Sequence, residues 1–215
     1  MQNKKRTIFI WDIHGCYYEF RDLIKKLNIQ NTDKVYLVGD MINKWKYSYK
    51  VLKFLFKNKE QYSAVLWNNE IDFLRYIDWD NFYKTKIFKK LKKKLNKRPE
   101  ILSYLKSLEL YIEEEAFLLI HAWLNPDKDL DNHTDDEITN IRYTHWKPWY
   151  ELYKWTKKVV YWHWALNWLN LYKNTIGIDT WCVYWKWLSA YILETWDIMQ
   201  VPARELYVNV FNRNI

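Results

Sequence analysis

The chain has 215 residues, 49% of them hydrophobic, and 34 Lys+Arg against 26 Asp+Glu give a formal charge of +8. That size and apolar share suit one globular domain over residues 1–215 with a sizeable core, and the positive balance draws anionic partners. Two cysteines far apart, Cys16 and Cys182, argue against a disulfide framework or a cysteine-rich zinc site; the opening MQNKKRTIFIW has too short an apolar run for a signal peptide or membrane span, so a cytoplasmic protein is expected.

In chain order, hydrophobic periodicity predicts a strand over 7–11, a helix over 18–27, a strand over 34–38, a helix over 47–56, a strand over 63–67 and a helix over 70–76. That alternation is an α/β start. Helices follow over 86–95 and 99–107, then a hairpin pairing 109–113 with 116–120. Segment 125–139 (NPDKDLDNHTDDEIT) reads as a polar loop leading into a helix, with His133 exposed in it. Strands over 158–161, 175–178, 189–193, 198–201 and 206–210 make the second half strand-rich. One charge run stands out, KTKIFKKLKKKLNKR over 84–98. It reads as a solvated helix with Ile87, Leu91 and Leu95 inward at helical spacing; a surface facing nucleic acid or polyphosphate is the alternative.

Several apolar runs end in a side chain able to ligate a metal. Phe9-Ile10 precedes Asp12 and His14, Leu37-Val38 precedes Asp40, Val65-Leu66 precedes Asn68, Leu119-Ile120 precedes His121, and Val160-Tyr161 precedes His163. One such residue alone is ordinarily a turn former, but loops at the carboxyl ends of strands are where α/β folds gather functional groups, and five such endings could converge. Mixed carboxylate, imidazole and amide donors suit Mn²⁺, Fe or Zn²⁺ better than Ca²⁺.

The composition holds a second anomaly, 3 glycines against 15 tryptophans. Tryptophans fall within WDIHG (11–15), GDMINKW (39–45), WNNE (67–70), IHAW (120–123), YWHWA (161–165) and GIDTWCVYW (177–185). Writing glycine for Trp11, Trp45, Trp67, Trp123, Trp162, Trp181 and Trp185 turns these into GDIHG, GDMINKG, GNNE, IHAG, YGHWA and GIDTGCVYG. Those blocks resemble, in order, the signatures of the calcineurin-like metallophosphoesterases, nearest to the branch of the symmetrical bis(5'-nucleosyl)-tetraphosphatases and their serine/threonine protein phosphatase relatives. A genome that reads UGA as glycine, translated with a table that reads it as tryptophan, would produce this pattern, so glycine is expected at the motif positions of the native protein. Trp155, Trp168, Trp187 and Trp196 fall in the same class, whereas Trp164 and Trp149 read as genuine. The rival reading keeps the indoles as a stacking platform of a single-strand binder.

The resemblance implies a four-layer αββα sandwich. It implies that Asp12 and His14 hold one divalent metal, that Asp40 bridges two, and that Asn68, His121 and His163 hold the second, with Mn²⁺ first and Fe or Zn²⁺ as alternatives. In such a pair a metal-activated hydroxide attacks phosphorus. Lys44 falls where a cation meets the substrate, as a point charge rather than the planar fork of arginine. Arg142 is a second phosphate candidate or an ordinary surface arginine, and Asp179 either orients a ligand or shapes a turn.

The departure from the family lies at Asn69 and Asn43. Many relatives carry a histidine in place of Asn69, as leaving-group acid, supported by an aspartate in place of Asn43. An amide cannot serve as a general acid near neutral pH. A phosphate or nucleotide leaving from an anhydride has a terminal pKa of about 6 and departs largely unassisted, unlike a serine alkoxide. The expected substrate is therefore a dinucleoside polyphosphate, although water or His145 could supply a proton. The alternatives are a phosphoprotein substrate, as for a serine/threonine phosphatase, and a catalytically weak nucleotide-binding sensor. Neither a membrane nor nucleic acid is an expected partner.

Overall fold

The structure is a computed structural model that describes residues 5–79, 85–120, 124–125, 128, 130–134, 137, 143–144, 147–161, 169–178 and 180–208. Its first half runs β1 (Thr7–Ile10), α1 (Tyr17–Leu27), β2 (Lys34–Leu37), α2 (Ser48–Lys57), β3 (Tyr62–Ala64), α3 (Asn68–Asp78), α4 (Lys86–Leu95) and α5 (Pro99–Lys106). The second half holds β4 (Ile112–Glu113), β5 (Phe117–Leu119), β6 (Tyr143–Thr144), β7 (Lys147–Pro148), α6 (Trp149–Leu152), β8 (Lys158–Tyr161), β9 (Leu169–Tyr172), β10 (Thr175–Ile178), β11 (Trp187–Ile192) and β12 (Ile198–Pro202).

Two mixed five-stranded sheets form, ordered β12-β11-β1-β2-β3 and β4-β5-β8-β10-β9. Side chains alternate across each strand, so each sheet has two apolar faces to bury. From the first sheet Phe9, Tyr36 and Val38 turn inward to meet Phe117, Leu119, Val160, Ile176 and Ile178 of the second. Their neighbours Ile8, Ile10, Val35 and Leu37 face the other way and pack with Phe20 and Leu23 of α1, Val51 and Leu55 of α2, and Phe73 of α3. On the far side of the second sheet Leu118, Val159 and Tyr161 pack with Trp149 and Tyr150 of α6. Helices, sheet, sheet and helix make the four-layer αββα sandwich.

Three local readings are corrected. The described part of the predicted strand 206–210 is not a strand; Tyr207 instead donates its hydroxyl to Glu19, and the Val208 N–H donates to the Val183 carbonyl at 3.1 Å. His133 is half-buried, its Nε2 accepting the Asn125 N–H at 2.7 Å. On α4 the buried stripe is Phe88, Leu91 and Leu95, with Ile87 at its margin, because packing against α2, α3 and α5 sets the helix phase about one residue from the sequence expectation. Elements β6, β7, β9 and α6 carry no prediction; β6 and β7 are two residues each and α6 is a single turn.

Five of the motif-class tryptophans fall into two contrasting groups. Trp11 and Trp67 are 1% and 0% exposed, and the indole N–H of Trp11 donates to the Tyr161 carbonyl at 3.3 Å, so these two are absorbed by the interior. Trp181, Trp185 and Trp196 take φ of 54°, 69° and 65°, the left-handed region where a bulky side chain is out of place. No helix among the described residues is long and apolar enough to cross a membrane.

Candidate metal centre

Strands β1, β2 and β3 are adjacent and parallel, so the loops that follow them leave the same sheet edge. The first loop carries Asp12 and His14, the second Asp40, Asn43 and Lys44, and the third opens α3 with Asn68 and Asn69. The loops are laced by backbone bonds: His14 N–H to the Asp40 carbonyl at 2.6 Å, Gly15 N–H to the Met41 carbonyl at 3.0 Å, and Trp45 N–H to the His14 carbonyl at 3.0 Å. Gly15 sits at φ +76° where a Cβ would lie 2.6 Å from the Trp45 carbonyl oxygen, so only glycine lets the two loops approach this closely. Asp12, His14 and Asp40 themselves hold φ of 51°, 43° and 45°. Non-glycine residues in that region are strained, and such strain clusters where side chains are aimed at a ligand.

The aim is convergent. One ligand atom each from Asp12, His14 and Asp40 lies within 4.8 Å of the others, and all three residues are buried. The Nδ1 of His14 lies 3.4 Å from the Ile42 carbonyl, a backbone contact that orients the ring. The other ring nitrogen, Nε2, lies 2.8 Å from Asp40 Oδ2. Two buried carboxylates and an imidazole converging on one point form a donor set that suits a divalent transition ion. The residues therefore fit the metals that the resemblance implies.

A chain of amides flanks the carboxylate. Asn69 donates through Nδ2 to Asp40 Oδ1, and Asn43 donates through Nδ2 to Asn69 Oδ1 at 2.6 Å. The same Asn69 Nδ2 lies 3.2 Å from Asn68 Oδ1, which puts Asn68 beside Asp40. His121, His163, Arg142, His145 and Asp179 lie outside the described residues. The structure thus brings together Asp12, His14, Asp40, Asn43, Asn68 and Asn69.

One participant carried no role in the sequence reading. Glu70 is fully buried, its Oε1 accepts the Ile42 N–H at 3.0 Å, and it thereby holds the loop between Asp40 and Lys44. Burial, followed by the charge of Asp40, pushes its carboxyl well above the usual range. Its signal was present, an acidic residue closing the WNNE block in the first turn of α3.

Comparison with known proteins decides the lineage: the calcineurin-like phosphoesterase profile matches residues 5–191. The chain belongs to that family. Within it, the chain is 39% identical over 69 residues to a symmetrical bis(5'-nucleosyl)-tetraphosphatase of Buchnera aphidicola, covering 32% of this chain and 25% of the relative. A Vibrio campbellii protein of the same name is 25% identical over 185 residues, covering 81% of this chain and 66% of the relative. The chain thus spans less than two thirds of the length of these curated relatives. Among solved structures, one provisionally named as a diadenosine tetraphosphatase superposes with TM-score 0.75 at 26% identity, covering 94% of this chain and 95% of that one. A Saccharomyces cerevisiae serine/threonine phosphatase at 12% identity shares the fold, with TM-score 0.62 over 95% of this chain and 81% of its own.

Proposed function

We propose that this chain is a dinuclear metal-dependent phosphoesterase that cleaves phosphoanhydrides, with dinucleoside polyphosphates as its substrate class. The observation that carries the substrate choice is the Asn43–Asn69–Asp40 chain, in which the group next to the bridging carboxylate is an amide bound at both ends. Held this way, Asn69 orients Asp40 and has no proton to give a leaving group. A leaving phosphate or nucleotide needs none, whereas a serine alkoxide does.

Asp12 and His14 would hold the first ion, Asp40 both, and Asn68, His121 and His163 the second. Two bound divalent cations supply Lewis acidity and a water of lowered pKa, and Mn²⁺ is the expected ion. Lys44, on the loop that Glu70 fixes, would set a positive charge against the phosphate chain, with Asn43 and Arg142 as further contacts. A phosphoprotein substrate is the reading this amide chain disfavours.

The test is Mn²⁺-dependent turnover of diadenosine tetraphosphate beside a phosphoserine peptide, in a protein carrying glycine at the motif tryptophans and in the tryptophan form. Faster release of nucleotide than of phosphate from the peptide supports the assignment. Preference for the phosphopeptide would overturn it.

A further inference from the structure

The lysine run of α4 faces a cleft. A cavity of about 300 Å³ lies between α4 and the start of α2, within the size range of small-ligand pockets. Its rim carries Lys46, Lys86, Lys90, Lys93, Lys94 and Lys97, all exposed, and no acidic residue among the described ones lines it. Among the described residues none of these six lysines is held in an ion pair. Along and just past α4 they recur at each turn, a spacing of about 5.4 Å. The floor is apolar, made by Tyr49, Ile87 and Leu91, and Lys94 Nζ stands 5.2 Å from the centre of the Tyr49 ring.

We infer that this cleft binds single-stranded nucleic acid, its phosphates along the lysine row and its bases on the apolar floor. A basic rim around an aromatic face is how single strands are held without sequence preference. Inorganic polyphosphate would satisfy the lysines and leave the floor empty. A duplex keeps its bases stacked inside and cannot lay them on Tyr49. Ile87, read from the sequence as inward, belongs instead to this floor, and the inference runs against the expectation that nucleic acid is no partner. The inference does not depend on the substrate assigned above.

Fluorescence anisotropy with a labelled oligouridylate of about 12 nucleotides tests it on the whole chain. Binding is expected to weaken with salt, with a log–log slope reaching about −4 if all six lysines engage. The K90E/K94E variant should bind at least tenfold more weakly with an unchanged melting temperature, and Tyr49→Ala should weaken the oligonucleotide but not inorganic polyphosphate. Unchanged affinity in K90E/K94E, or equal competition by polyphosphate or by duplex of matched charge, would overturn the proposal.

Discussion

Asn43 and Asn69, 26 residues apart, share a hydrogen bond of 2.6 Å in which one amide donates and the other accepts. An aspartate and histidine in these places would form an oriented acid, so under the proposed function the pair would stand in for a proton source as a neutral clamp on Asp40. The double variant Asn43→Asp/Asn69→His is expected to raise hydrolysis of alkyl phosphate monoesters by about 10²-fold or more, within the usual range of general acid catalysis, while anhydride cleavage changes little. Rates across esters of rising leaving-group pKa would check this, since the restored acid flattens their dependence on that pKa.

Asp40 is contacted at both carboxylate oxygens, by His14 Nε2 at one and Asn69 Nδ2 at the other. Asp40→Asn should weaken both metal-binding steps in titration calorimetry and lower kcat by at least about 10³-fold, in keeping with removal of a group central to transition-state electrostatics. Full Mn²⁺-dependent turnover in this variant would remove Asp40 from its assigned role.

Trp185 and Trp196 are 66% and 60% exposed and hold φ of 69° and 65°, so their indoles gain little burial from a backbone that strains them. Replacing either by glycine should stabilise the chain by about 1 kcal/mol, or a rise of roughly 2–4 °C in Tm, since left-handed geometry costs a side-chain-bearing residue about 1–2 kcal/mol. Trp149 provides the contrast. It is 1% exposed with its ring 4.8 Å from that of Tyr161, and Trp149→Gly should destabilise by about 3–5 kcal/mol. Mass spectrometry of native peptides spanning residues 181–196 would read the decoding directly, with glycine expected at 181, 185, 187 and 196.

Asp33 has a side chain 1% exposed and an ion pair of 2.5 Å to Arg6. Burial pushes its carboxyl up, and the Arg6 guanidinium with the Gln30 N–H more than offsets that, leaving it below the usual carboxylate range. The folded state therefore binds this proton less readily than the unfolded chain. The stabilisation is complete above the unfolded pKa of about 4 and is lost as pH falls through the lower folded value. Asp33→Asn should cost about 1.5–3 kcal/mol at neutral pH in metal-free urea unfolding, with the gap to the parent closing as pH drops towards 3. A gap that does not shrink in acid would assign the loss to packing instead.

Much of the fold was legible because period-2 and period-3.6 patterns report burial locally. Ile8 to Ile10 and Val35 to Leu37 alternate as strands buried on both faces, and α1 shows a clear apolar stripe. Where the pattern failed, a distant partner decided. Residues 206–208 look like a strand, yet the Tyr207 hydroxyl is claimed by Glu19 and the Val208 N–H by Val183. The phase of α4 was set by the helices it packs on, which bury Phe88 rather than Ile87.

By itself, the sequence determined the family's motif order, an α/β start and the presence of candidate ligands after several apolar runs, because each is carried by a short run of chain; the two-sheet sandwich came only with the family resemblance. Only the tertiary structure decided which of those residues meet. Asp40 reaches His14 because β1 and β2 are parallel neighbours, Asn43 reaches Asn69 because β3 adjoins β2, and Glu70 is driven into the interior beneath the loop it holds. Such contacts depend on strand order and on positive-φ turns at Asp12, His14 and Asp40, long-range geometry that no local periodicity encodes.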